Sequence, residues 1–322
     1  MSTGTLERPL NLVADIGGTR ARFGLCTSVR DIGHVSAMEV KDFARIDLAI
    51  QHYLDLHGNP GVMHAVIGIA NPITGDEVQM TNSPWHFSIE QTRRQFGFQS
   101  LRLINDFTAL AMAVPYLSEG DLRTVGGGRA ESGTPLGLVG PGTGLGVSGL
   151  IPTGGGKWHA LAAEGGHVSF AACDTREQAL WEDARRQFGH VSMERLVSGR
   201  GLQFIYRHLS REAGVPAQDY TPADITGRAI AGADLHCQTA LDTFCAILGT
   251  AASNLALTLG ARGGIYLGGG IVPRLGDYFD QSPFRERFND KGRFTDYLAA
   301  IPVFVITSDY PALLGAAALL ND

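Results

Sequence analysis

The chain has 322 residues, 44% hydrophobic and 18% charged, and a formal charge of −6 from 26 basic and 32 acidic side chains. That length predicts two domains with a cleft between them rather than one core. The acidic balance, without a block of Lys or Arg, argues against nucleic acid and anionic membranes as partners.

Four cysteines occur, at Cys26, Cys173, Cys237 and Cys245, with no zinc-type spacing. Three lie in apolar stretches, which fits reduced thiols and a cytoplasmic location. The first residues carry no basic segment followed by an apolar one, so no signal peptide is expected.

In chain order, residues 10–16 read as a strand, 22–26 as its hairpin partner and 35–40 as a third strand. A helix is expected over 47–56 and a buried strand over 63–70. Residues 77–82 alternate weakly. Residues 88–97 form a helix opened by a capping box, Ser88 with Gln91. A strand over 101–104 then delivers Asn105 and Asp106 to its C-terminal end, and a helix runs over 108–117.

The order then partly repeats. Strands are expected over 136–140, 146–151 and 158–162. Helices follow over 174–188, 201–213, 221–231 and 234–259. The apolar part of the last, 241–259, is broken by Asp242, Thr243, Ser253 and Asn254, so it reads as a core helix and not a membrane span. A strand over 264–267 ends in Gly268-Gly269-Gly270, and 303–307 and 312–320 form the last strand and helix. Gly18-Thr19 and Gly142-Thr143 thus hold matching places in two similar halves, which suggests a duplicated α/β fold.

The turns carry the first functional signal. Asp15-Ile-Gly17-Gly18-Thr19 is either a tight hairpin needing positive φ or a cradle whose N–H groups and Thr hydroxyl face an anion. The same choice applies to Gly142-Thr143-Gly144. Two such turns in two halves favour a nucleotide triphosphate gripped from both sides. Neither stretch is a Walker A loop or a dinucleotide fingerprint. Asp15 is either a turn former or an indirect, water-mediated holder of Mg²⁺ beside the cradle.

Asn105-Asp106 is either a helix cap or the site of a general base for a hydroxyl proton. Glu164-Gly165-Gly166-His167 sets two glycines between two titratable side chains and reads as a ligand loop. Glu194, taken by itself, reads as a first-turn helix acid.

Together these stretches closely resemble the bacterial glucokinases, of the actin, hexokinase and heat-shock-protein superfamily, from residue 12 to about residue 320. LVADIGGTRAR resembles the family's first phosphate loop and GPGTGLG its second. INDFTALA resembles the catalytic-aspartate segment, AEGGHVSF the sugar loop, and MERLVSGRGL adds a further sugar-contacting glutamate. NPITGDEVQMTNSPWHFS and GGIYLGGGIVPRL are also family-like.

The resemblance implies an actin-like, ribonuclease-H-like duplicated two-lobe fold, with a small domain of residues 1–116 plus 308–322 and a large one of 117–307. It implies transfer of the ATP γ-phosphate to the 6-hydroxyl of glucose, with Mg²⁺. Asp106 would be the general base. Asn105, Glu164, His167 and Glu194 would bind the other hydroxyls. Gly17, Gly18, Thr19, Gly142, Thr143 and Gly144 would hold phosphates, and Gly268, Gly269 and Gly270 the adenosine. A homodimer is implied, with the helical surface around 234–259 as its suggested face.

One residue departs from the pattern: Arg20 stands where the family usually has Asn. It either reaches a phosphate or pairs with a nearby acid. The cysteine-rich zinc cluster of the related sugar-kinase and repressor family is absent. The readings weighed against a glucokinase are a kinase for another hexose or another phosphoryl donor, a glucose sensor without turnover, and an actin-like filament protein.

Overall fold

A computed structural model describes residues 9–81 and 83–321 of the chain. It divides into two compact units, Met1–Ser118 with Ser308–Asp322, and Glu119–Thr307.

In the first unit, β1 (Leu10–Ile16), β2 (Arg20–Ser28) and β3 (Asp31–Glu39) form an antiparallel meander. The helix α1 (Ile46–Leu56) leads to β4 (Val62–Ile69). A small ribbon of β5 (Glu77–Gln79) and β6 (His86–Ser88) precedes α2 (Ile89–Gln95), β7 (Ser100–Asn105) and α3 (Asp106–Ala113). The main sheet runs β3-β2-β1-β4-β7, with β4 and β7 parallel to β1. Leu12, Val13, Ala14 and Ile16 of β1 are wholly buried, which accounts for the continuous apolar run of a central strand.

The second unit repeats this plan. β8 (Leu122–Thr124) comes first, then β9 (Leu136–Pro141), β10 (Leu145–Gly154) and β11 (Lys157–Ala162). The helices α4 (Thr175–Phe188), α5 (Gly199–Glu212), α6 (Pro222–Ile230) and α7 (Leu235–Leu259) follow. Then come β12 (Ile265–Leu267), the short helices α8 (Asp277–Gln281), α9 (Phe284–Asn289) and α10 (Thr295–Ala299), and β13 (Val303–Ile306). The sheet order β11-β10-β9-β12-β13 matches that of the first unit strand for strand, with β8 added antiparallel at the edge. The fold is therefore the duplicated actin-like α/β fold. The chain ends in α11 (Pro311–Ala318), which packs on α3 in the first unit. Gly315 makes that packing possible, because a Cβ there would collide with the Ala109 carbonyl.

Three local expectations change. Ser88 does cap α2, accepting from the Gln91 N–H at 3.0 Å, but its hydroxyl turns to Asp76 at 2.5 Å, and Asp76 takes the Glu90 N–H at 2.9 Å. The reciprocal capping box forms instead at α6, between Thr221 and Asp224. The helix expected over 108–117 begins at Asp106 and gives way at Val114–Tyr116 to a tighter turn around Pro115. The ribbon of β5 and β6, the edge strand β8 and the helices α8 to α10 were too short to show a period. The alternation expected to end at Asn82 ends outside the described residues.

The helix α7 runs as expected. Asp234 caps it, accepting the His236 and Cys237 N–H groups at 2.9 and 3.1 Å, and Gly260 stops it at φ 60°. By length and composition it could cross a membrane, yet 72% of its apolar window is buried within this unit. It is the helix around which α5, α6 and α9 pack, each buried Leu or Phe contributing roughly 1.5–3 kcal/mol.

Candidate active site

In the first unit, Ile16 of β1 pairs with Ile69 of β4, and Ile69 with Asn105 of β7. The C-terminal ends of three parallel strands are therefore level. The 17–19 turn and Asp106 emerge at that shared edge, where open α/β sheets bind ligands. Gly68 brings α3 close to β4, since its position faces Ala109 Cβ at 3.3 Å and Asp106 Cα at 3.7 Å.

Asn105 supplies the helix cap. Its Oδ1 accepts from Phe107 N–H at 2.9 Å and Thr108 N–H at 3.2 Å. Asp106 is the first helical residue, and its Oδ1 accepts from the Phe107 N–H at 2.9 Å. Its carboxylate is thus oriented, half-buried and at the positive end of a helix.

The Gly17 N–H donates to the Arg20 carbonyl at 2.9 Å and closes the first turn. Gly17 does not lie at positive φ, and a Cβ there would meet only the Arg20 oxygen at 3.6 Å. Backbone conformation does not require glycine at this position, which leaves room for close approach of a ligand as the reason. Asp15 faces Arg22 across the hairpin, with Oδ2 2.9 Å from Nη1. Burial pushes the Asp15 carboxyl above the usual carboxylate range, while the charge and hydrogen bond of Arg22 pull it back. Among the described residues no cluster of three or more His, Cys, Asp or Glu side chains fits a metal ion. One paired carboxylate suits a Mg²⁺ carried in on phosphates through water, not a resident ion. Arg20, the departure from the family pattern, pairs with Glu39 at 3.1 Å on the strand beside it.

In the second unit the hairpin of β9 and β10 closes through the Gly142 N–H and Gly144 carbonyl at 2.8 Å. The Gly142 carbonyl accepts from Gly199 N–H at the start of α5 at 2.9 Å. The Glu194 carboxylate accepts from Leu145 N–H at 2.8 Å, and a Cβ on Gly144 would collide with the same oxygen. Glu194 does lie in the first turn of a short 3-10 helix, Met193–Arg195, and its carboxylate also leans on the β9–β10 hairpin.

The ligand loop lies on the same hairpin. A Cβ on Gly165 would press on Val147, and one on Gly166 would collide with the Leu145 carbonyl. The two glycines therefore let the loop lie flat on β10. Met193 N–H donates to Val168 carbonyl at 2.8 Å and Phe170 N–H to Val191 carbonyl at 2.9 Å, so the 165–170 and 190–194 segments run side by side. Glu164 and His167 are exposed. Gly268 N–H donates to the Val139 carbonyl at 3.0 Å and Ile271 N–H to the Pro141 carbonyl at 3.3 Å, which sets 268–270 beside Gly142. Gly269, at φ 77°, has no space for a side chain against Pro141.

The structure thus groups Asp15, Gly17, Gly18, Thr19, Asn105 and Asp106 along one sheet edge of the first unit. It groups Gly142, Thr143, Gly144, Glu164, His167, Glu194 and Gly268 to Gly270 around the β9–β10 turn of the second. Sequence reasoning missed Arg22, Gly199 and Arg200. Arg200 lines a cavity of about 700 Å³ with Thr143, Glu194 and Ser198. The Ser198-Gly199 pair opening a helix was the available signal for the last two.

Two matching glycine-threonine turns on a duplicated sheet, with a positioned aspartate at one strand edge, define a sugar-kinase-type fold and site. The glucokinase family model matches residues 12–322, and the chain belongs to that family. The glucokinase of Chromobacterium violaceum is 53% identical over 100% of this chain and 92% of its own length. A crystal structure of glucokinase from an Antarctic psychrotroph is 37% identical, with a TM-score of 0.87 over 97% of this chain and 98% of the other. A glucokinase of the ROK family from Streptomyces griseus, solved with glucose and AMPPNP, shares the fold at 19% identity. Its TM-score is 0.68 over 96% of this chain and 98% of the other.

Proposed function

We propose that this chain transfers the γ-phosphate of ATP to the 6-hydroxyl of D-glucose, giving glucose 6-phosphate and ADP. The observation that carries this reading is Asp106, oriented at the N-terminus of α3 on the same strand edge as the Gly17–Thr19 turn. Its carboxylate accepts the 6-hydroxyl proton while the sugar oxygen forms a bond to the γ-phosphorus. The bond from that phosphorus to the bridging oxygen of ADP breaks.

Asp106 need not be strongly basic, because positioning and charge neutralisation supply most of the rate in a loose phosphoryl transfer. The amide of Asn105 orients the sugar in the first unit. Glu164, His167 and Glu194 orient it in the second. Carboxylates accept from neutral hydroxyls, which gives direction as well as affinity. The two turns hold phosphates through backbone N–H groups and a Thr hydroxyl, and Gly268 to Gly270 leave room for adenosine. Mg²⁺, which Asp15 would reach through water, neutralises phosphate charge. The reading includes a cytoplasmic location and a homodimer, both supported by family likeness.

Coupled ADP formation with MgATP across a panel of hexoses tests the proposal. Turnover selective for glucose is expected. Turnover with another hexose alone would overturn the substrate, and glucose binding without ADP release would make the protein a sensor.

A further inference from the structure

The face of α5 that turns away from the core ends in a second cluster. Leu202, Ile205 and Tyr206 point inward, while Arg200, Gln203 and Arg207 line the cavity beside Thr143. One turn further, between α4 and α5, a separate cavity of about 320 Å³ is lined by Asp183, Arg186, His208, Arg211 and Glu212. Arg211 also lines the larger cavity beside Thr143, and the other four residues belong to no part of the site described above.

His208 is only 4% exposed. Its Nδ1 lies 3.1 Å from Asp183 Oδ2, which fixes the ring. Its Nε2 is buried and has no hydrogen-bond partner among the described residues. Glu212 Oε1, at 3.9 Å, is beyond hydrogen-bonding reach. A buried polar atom left unpaired costs about 1–3 kcal/mol, so this one marks a place built for a further group.

The charges around the cavity decide what that group is. Asp183 already receives Arg211 Nη2 at 2.5 Å and Arg186 Nη2 at 3.6 Å. Burial opposes ionisation of Asp183, but the hydrogen bond from His208 and the charges of Arg211, His208 and Arg186 hold its carboxyl below the usual range. Two guanidiniums and the His208 ring face two carboxylates, Asp183 and Glu212. Both guanidiniums reach well into solvent, so each keeps donors for a ligand. A metal cation would meet two fixed positive charges here.

We propose that this cavity binds a tetrahedral phosphate, whose oxygens meet the unpartnered Nε2 edge of His208 and accept hydrogen bonds from the guanidinium groups of Arg186 and Arg211. The phosphate is either inorganic phosphate or the phosphate group of a phosphorylated sugar. The groups facing His208 are Asp183 and Arg186 from α4, and Arg211 and Glu212 from its own helix. At the other end of the same helix, Gly199 holds the Gly142 carbonyl.

The test follows the ¹⁵N imidazole resonances of His208 in the full chain, titrated with inorganic phosphate and, separately, with glucose 6-phosphate. A saturable shift is expected with at least one of them. It should weaken about tenfold in Arg186→Met, the loss of one charged hydrogen bond, and tighten in Glu212→Gln. Both substitutions are at exposed side chains, so the fold is kept. Equal affinity for the two ligands assigns the site to free phosphate, and tighter glucose 6-phosphate assigns it to the sugar ester. No shift with either ligand overturns the proposal, as does a shift that is the same in Arg186→Met. A response to Zn²⁺ in place of phosphate also overturns it.

Discussion

Glu194 accepts the backbone N–H of Leu145 at 2.8 Å and occupies the space that any side chain on Gly144 would need. A candidate sugar-binding carboxylate and the second candidate phosphate hairpin are therefore in direct contact. A side chain at 144 would have to displace the end of the Glu194 side chain, not backbone, and Gly144 does not lie at positive φ.

Gly144→Ala should push Glu194 off Leu145 and cost about 1–3 kcal/mol of stability, with a fall in kcat/KM for glucose. Gly142→Ala is the control, because its Cβ would meet only the Gly270 nitrogen at 3.9 Å. Thermal melts and steady-state kinetics on both variants check this. Equal melting temperatures for the two would remove the steric argument.

The pair Asp15–Arg22 makes a prediction about pH. Folding raises the Asp15 pKa, so its stabilising contribution belongs to the protonated form. That contribution is full below the ordinary carboxylate pKa of about 3.9 and is lost as pH rises through the folded value. Arg22 offsets the cost of the charged form. Arg22→Met should then destabilise the chain at neutral pH by about 1–3 kcal/mol. The gap to wild type should narrow on acidification towards about pH 4. Melting temperatures measured across that range decide it, and a gap that widens in acid contradicts the account.

Much of this site was legible because its residues sit where short motifs meet strand ends. The turns at 17–19 and 142–144 could be located from the apolar strands leading into them, and Asn105-Asp106 from the apolar 101–104 stretch. The matching strand order of the two sheets could be suspected from the turn positions alone. What escaped was long-range pairing. Arg22 faces Asp15 only through hairpin register, and Glu194 reaches Leu145 across 49 residues of chain. The cap at Asn105 and the first-turn place of Asp106 depend on where a helix starts, to within one residue, which propensity does not resolve.

Arg20 is the one departure from the family's first loop, and its side chain is spent on Glu39. The pair is a surface one, 62% and 36% exposed, and is worth under about 1 kcal/mol. Arg20→Asn should leave the KM values for ATP and glucose unchanged. A change in the ATP KM alone would show that the guanidinium leaves Glu39 for a phosphate.

The central claim is that Asp106 is the base for the sugar 6-hydroxyl. The most direct measurement is glucose-dependent ADP formation by Asp106→Asn beside wild type, with glucose affinity measured on both proteins. Turnover should fall by about 10²- to 10⁴-fold, with glucose affinity kept. Turnover close to wild type would contradict the assignment and leave Asp106 as no more than the first residue of a helix.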